Sequence, residues 1–238
     1  MFDFTDRVVI VTGAAGNLGS AVARAFQAAG ANLVLVDHKA DSLPSLFPEL
    51  DGSPDHLLAS SVDLTDEDSV QGVVGKVLQR FGRVSVLVNT VGGWRGGKPV
   101  HETTLDTLDF LLNLNTRSVF ISSRAVVPSM LDRGSGKIIN VAARAALGAT
   151  ARNGAYSASK SAVVRLTETM AAELKHEGIN VNCVLPGTID TPQNRQAMPK
   201  ADHSRWVPPE AIADVILFLA SDAAWPVSGA AVPVYGRS

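Results

Sequence analysis

The sequence is short of several things, and each shortage removes a class of protein. A single cysteine, Cys183, stands among 238 residues, so no disulfide can form within the chain. It lies in the apolar run Val-Asn-Cys-Val-Leu and reads as a buried, inert thiol. Charged residues make up only 18%, below the roughly 25% of an average globular protein, which excludes a disordered or solvating chain. The 21 basic and 23 acidic side chains nearly cancel, at −2. With no basic block, nucleic acid is not an expected partner. No apolar run reaches the roughly 18 residues that a membrane helix needs, so no membrane partner is expected either. The opening Met-Phe-Asp-Phe-Thr-Asp-Arg has no basic stretch followed by an apolar one, and a cytoplasmic location is expected. The five histidines are scattered, and His101-Glu102 has Leu105 where a zinc-protease motif needs histidine, so no metal site is expected. Aromatics are scarce at 5%, with only two Tyr and three Trp, so each can be asked individually what it does.

What is present is a regular alternation. Short β-branched runs occur at Arg7–Thr12, Asn32–Asp37, Val84–Asn89, Lys137–Val141, Ile179–Leu185 and Ala230–Val234, with a weaker one at His56–Ser60. Most are continuously apolar, as expected of parallel strands covered on both faces. Helical patterns separate them at Leu18–Ala29, Asp66–Phe81, Thr104–Leu131, Ala155–His176 and Pro209–Leu219. The alternation predicts an α/β fold: one Rossmann-type doubly wound parallel sheet of about seven strands, with helices on both faces. No repeat or linker divides residues 1–238, so a single dinucleotide-binding and catalytic domain is expected. The stretch Thr191–Pro209 lacks clear periodicity and is long for a connection, which predicts a substrate lid.

The first strand ends in Thr12-Gly13-Ala14-Ala15-Gly16-Asn17-Leu18-Gly19 and runs into a helix of small residues. Glycines three apart allow a tight turn and close approach to a pyrophosphate, while the helix start offers free N–H groups. No Gly-Lys-Ser/Thr follows, so this is not a Walker loop. The second strand ends in Asp37, whose carboxylate suits ribose hydroxyls and repels a 2′-phosphate. NAD(H) is therefore favoured, although His38 and Lys39 soften the repulsion and leave NADP(H) open. Asp63 and Leu64, after the third strand, are placed to reach the adenine. Asp63 equally suits a cap for the helix starting near Asp66.

Tyr156 and Lys160, in Tyr-Ser-Ala-Ser-Lys, are spaced i and i+4 and share one helical face. A neighbouring ammonium is expected to lower the phenol's pKa from about 10 towards the working range. Taken with Asn89-Thr90-Val91-Gly92, Asn115 in Leu-Asn-Thr-Arg-Ser-Val-Phe, and Pro186-Gly187-Thr188-Ile189-Asp190-Thr191, the chain resembles the short-chain dehydrogenase/reductase family over essentially its whole length. The resemblance implies that Tyr156 is the proton donor or acceptor. Lys160 would bind the nicotinamide ribose, and Asn115 would hold a proton-relay water. Ile189 and Thr191 would meet the carboxamide, with Pro186 and Gly187 beside the cofactor and Asn89 bracing the central strands. A homodimer or homotetramer through Thr104–Leu131 and Ala155–His176 is also implied.

Two positions depart from the family pattern. Asn17 replaces a common glycine, leaving the spacing Gly13, Gly16, Gly19, which also occurs in the superfamily. Ala143 occupies the place of the family's catalytic serine, 13 residues before Tyr156, and it cannot donate a hydrogen bond to substrate. Within the family, the Trp94 stretch and Thr188–Asp202 resemble the quinonoid dihydropteridine reductase branch, which also carries alanine there. Trp94 lies among Gly92, Gly93, Gly96 and Gly97 and would then stack a flat small-molecule substrate. The expected reaction is hydride transfer to a flat conjugated acceptor, with quinonoid dihydropterin in first place. A ketone/alcohol dehydrogenase or quinone reductase is the alternative, and a non-catalytic NAD(H) sensor the second. Asp190, Asn194 and Arg195 read either as site-lining or as lid-helix residues, and Arg144 and Arg152 either as substrate-reaching or as plain surface.

Overall fold

A computed structural model describes residues 2–237. The apolar runs become strands β1 (Val8–Thr12), β2 (Asn32–Val36), β3 (Leu57–Ala59), β4 (Val86–Asn89), β5 (Gly136–Val141), β6 (Ile179–Pro186) and β7 (Ala231–Val234). All pair in parallel in the order β3-β2-β1-β4-β5-β6-β7. The winding direction reverses between β1 and β4, and a doubly wound sheet opens a ligand crevice at the carboxyl ends of such strands. β7 forms one edge and carries Pro233 there, where a missing ladder donor is tolerated.

The helices are α1 (Asn17–Ala28), α2 (Ser42–Leu46), α3 (Glu67–Phe81), α4 (Leu105–Leu112), α5 (Ser118–Arg133), α6 (Gly154–Leu174), α7 (Pro192–Ala197) and α8 (Pro209–Ala220). Because strands buried on both faces need two covers, the core has two main halves. Val22 and Phe26 of α1 join Ile212 and Ile216 of α8 on one side. Val70, Val74, Ile121, Met130 and Ala171, from α3, α5 and α6, close the other. Among the described residues no helix is long and apolar enough to cross a membrane.

The structure corrects two local expectations. The single helix expected over Thr104–Leu131 is interrupted at Asn113–Arg117, where the chain widens into a π-helical turn between α4 and α5. No proline or glycine marks the spot. Pro128 lies inside α5 without ending it. The cap of α3 is Asp66, which accepts from Asp68 N at 3.0 Å, and not Asp63. The stretch 191–209, whose sequence lacks clear periodicity, contains α7, which opens on Thr191-Pro192 with Thr191 Oγ1 accepting from Asn194 N at 3.2 Å.

A buried polar ladder ties the middle of the sheet. Asn89 lies opposite Asn140 across β4 and β5 and donates to its Oδ1 at 2.9 Å. Asn140 in turn donates to Thr167 Oγ1 on α6 at 2.9 Å. All three side chains are buried, so every lost link leaves a polar atom without water to replace it. Asn89 therefore braces the central strands, with its NH2 directed into the protein.

Candidate active site

The site is assembled at the carboxyl ends of β1, β2, β4, β5 and β6. At β1, Gly13 adopts φ +66°, and a Cβ there would come 2.8 Å from Val91 Cγ2. Gly19 packs closer still, since its Cβ would fall 2.0 Å from Gly13 O. Only glycine lets the first turn of α1 sit this tightly on the strand. Gly16 caps α1 without any side-chain bond, so the N–H groups of Asn17, Leu18 and Gly19 point outward at the positive end of the helix dipole.

Asp37 is buried at the end of β2. Its Oδ2 accepts from Ala15 N at 3.0 Å, and its Oδ1 accepts from Lys39 N at 3.1 Å with His38 Nδ1 at 3.3 Å. The carboxylate thus holds the glycine turn in shape, and Oδ2, with one partner, retains a lone pair for a ribose hydroxyl. Asp63 bonds mainly to its own neighbour, accepting from Thr65 N at 2.8 Å and Oγ1 at 2.7 Å. Those bonds hold its carboxyl below the usual range.

Tyr156 and Lys160 lie on the first two turns of α6. Lys160 is buried and donates from Nζ to Val141 O at 2.8 Å. Burial lowers its pKa to about 8, with the neighbouring Cys183 opposing slightly. Asn115 projects from the π-turn and closes a compact hub. Its Oδ1 accepts from Gly93 N at 2.9 Å, and its Nδ2 donates to Gly93 O at 3.1 Å and to Ser159 Oγ at 2.9 Å. Ser159 Oγ donates to Tyr156 O at 2.8 Å. A Cβ on Gly92 would stand 2.8 Å from Lys160 Nζ and 3.1 Å from Asn115 Oδ1, so that glycine lets the loop after β4 lie against both.

The phenol behaves differently from the sequence expectation. Its pKa is pushed up to about 12 by burial, not lowered by Lys160. Without a charged partner at the ring, removal from water disfavours the phenolate. Tyr156 is therefore a protonated acid throughout the neutral range.

Pro186 ends β6, and Gly187 N donates to Val234 O at 3.0 Å. Ile189 pairs with Val207 in an isolated bridge that draws the two ends of the 190–206 excursion together. Asp190 and Arg195 form a two-pronged pair at 2.6 and 2.7 Å, and Asn194 Nδ2 donates to Ile189 O at 2.8 Å. These three residues mainly organise the segment between Ile189 and Val207. Asn17 Nδ2 reaches across from the glycine turn to Gln193 Oε1 on α7 at 2.8 Å. Trp94 is 63% exposed, and its Nε1 donates to Asn153 Oδ1 at 2.9 Å. Ala143 is buried, in extended backbone just past β5. Arg144 lies over the Tyr235 ring, 5.1 Å from its centroid.

Sequence reading passed over Ser159 and Gln193. Ser159 had a signal, a small polar residue three positions after Tyr156 on a helix otherwise suited to packing. Gln193 had none.

The chain resembles known proteins over nearly its whole length. The family model for short chain dehydrogenase matches residues 7–202. The chain is 35% identical to 3-oxoacyl-[acyl-carrier-protein] reductase FabG of Thermotoga maritima, over 97% of this chain and 96% of the relative. It is also 35% identical to D-threitol dehydrogenase of Mycolicibacterium smegmatis, over 99% and 94%. The crystal structure of levodione reductase superposes with a TM-score of 0.90 at 32% identity, covering 98% of this chain and 97% of that one. The chain belongs to the short-chain dehydrogenase family.

Proposed function

We propose that the protein is an NAD(H)-dependent oxidoreductase that interconverts a carbonyl and an alcohol on a small molecule. The observation that carries this reading is the gathering of Tyr156, Lys160 and Asn115 beside an uncapped glycine turn and a buried Asp37. A nicotinamide dinucleotide fits that crevice. The open N–H groups of α1 suit its pyrophosphate, Asp37 suits a ribose bearing free hydroxyls, and Lys160, Ile189 and Thr191 suit the nicotinamide half. When bound, it supplies a hydride from its nicotinamide ring. Tyr156 donates its proton to the substrate oxygen as negative charge builds there. Its high pKa keeps it charged with that proton, which suits the reductive direction. Asn115 keeps the loop after β4 in place, and residues 191–209 serve as the lid over one catalytic domain. The partly exposed Phe110, Phe120 and Leu131 on α4 and α5 support a homodimer or homotetramer.

Reduction of an oxo group is favoured over the dihydropterin expectation, because the relatives described above are named for oxoacyl, polyol and dione substrates. A flat conjugated acceptor such as quinonoid dihydropterin is the second reading, supported by Ala143 and by the exposed indole of Trp94. The test is NADH oxidation with a ketone panel and with quinonoid dihydropterin, in the wild type and in Tyr156→Phe. Ketone turnover is expected, and the variant should lose about 10²–10⁴-fold in kcat while still binding NADH. Brisk pterin turnover without ketone turnover favours the second reading. Tight NADH binding with no turnover on any acceptor would mean a sensor.

A further inference from the structure

Beside the candidate active site lies a second cavity of about 170 Å3. It is lined by Arg95, Lys98 and Arg152, by Thr103 and Thr107, and by Ala155, the residue before Tyr156. Three features distinguish it. First, its lining holds three cations and no carboxylate. Second, among the described residues none of these cations is engaged in an ion pair. Arg95 is held only by its stack on Phe110, 3.8 Å from the ring centroid. Third, the backbone is strained to place Arg152 there. The residue adopts φ +66° although it is not glycine, and its carbonyl accepts from Gly97 N at 2.9 Å. That bond ties the Arg152 loop to the strand of residues carrying Arg95 and Lys98.

Three like charges around one small cavity repel one another, and an oxyanion between them removes that repulsion. A cavity of this size accommodates a carboxylate or phosphate group together with part of the chain that carries it. Ala155 precedes Tyr156 in α6, and Asn153, also on the lining, accepts from Trp94 Nε1 at 2.9 Å, so the cavity borders the indole beside the candidate active site. We infer that this cavity is a subsite for an anionic group, and that the substrate is an oxo or hydroxy compound carrying a carboxylate or phosphate. The inference rests on the carbonyl-reductase reading above and adds a substrate class to it.

The experiment measures NADH-dependent reduction of ω-1 oxo acids of graded chain length beside their methyl esters, and of dihydroxyacetone phosphate beside dihydroxyacetone, at saturating NADH. The wild type should prefer the anionic member of at least one pair by tenfold or more, chiefly through a lower KM. Added salt should erode that preference. Which pair shows it identifies the group as carboxylate or phosphate. In Lys98→Gln/Arg152→Gln the preference should collapse towards unity through a rise in KM for the anion, with the neutral partner changing less than twofold. Equal turnover of charged and neutral members in every pair overturns the inference, and so does a preference that survives in the double variant. If the wild type reduces no carbonyl compound at all, the carbonyl-reductase reading itself has failed, an outcome distinct from turnover without charge preference.

Discussion

Lys160 carries a charge in a place that resists it, and the penalty can be measured. The residue is 4% exposed, and its ammonium has one backbone acceptor, Val141 O at 2.8 Å. Burial lowers its pKa from 10.5 to about 8. At about 1.36 kcal/mol per pH unit, that difference corresponds to about 3 kcal/mol of lost stability at pH 7. The sign follows from proton counting. Between pH 8 and 10.5 the unfolded chain holds the Lys160 proton while the folded chain has released it, so this group's contribution to stability rises with pH. From pH 7 to pH 9 the gain is about 1 kcal/mol by the same relation. Lys160→Met keeps the aliphatic stem, removes the charge, and should be more stable than the wild type at pH 7. That advantage should shrink by about 1 kcal/mol at pH 9. Urea unfolding of both proteins at the two pH values gives the answer, and the difference between them cancels the opposite titrations of Cys183 and Tyr156, whose pKa values burial raises. A stability difference that does not move with pH would refute the reasoning.

Other expectations are simpler to state. Gly19→Ala forces a methyl group onto Gly13 O and should cost about 2 kcal/mol. It should lower Tm by several degrees and weaken NADH binding at least tenfold, read by thermal melting and fluorescence titration. Asn140→Ala leaves the Asn89 amide and Thr167 without their partner, and the urea midpoint should drop by an amount equivalent to about 2–4 kcal/mol with an unchanged m value. Asp37→Ala removes both the ribose acceptor and the brace on Ala15 N. The ratio of kcat/KM for NADH over NADPH should fall at least tenfold, and an unchanged ratio would show that Asp37 does not select the cofactor.

The sheet was legible because its signal is redundant: three or four apolar, mostly β-branched residues in a row, repeated at wide spacing, announce buried parallel strands whatever surrounds them. Even β3, three residues long, showed as a weak run. The break between α4 and α5 was not legible, since Leu-Asn-Thr-Arg all tolerate helix and a π-turn differs only in which carbonyl each N–H selects. α7 could have been read from Thr191-Pro192, a cap followed by a first-turn proline, but six residues are too few for periodicity to speak. Tyr156 and Lys160 were found by their i, i+4 spacing together with the family resemblance of the motifs around them. Their electrostatics were not, because spacing says two groups share a face and nothing about how much water reaches them.

The π-helical turn at Asn113–Arg117 has a consequence for heredity. Such a turn holds one residue more than the α-helix it interrupts, so it is the mark a single-codon insertion leaves in a helix that survives it. Deleting one residue there would let α4 run unbroken into α5. The flanking helices would keep their present faces, because the wide turn is what absorbs the extra residue, and the whole change would fall on residues 113–117. Asn115 would turn away from Gly93 and Ser159. A three-base change would thus dismantle the hub while leaving the packing of α4 and α5 in place.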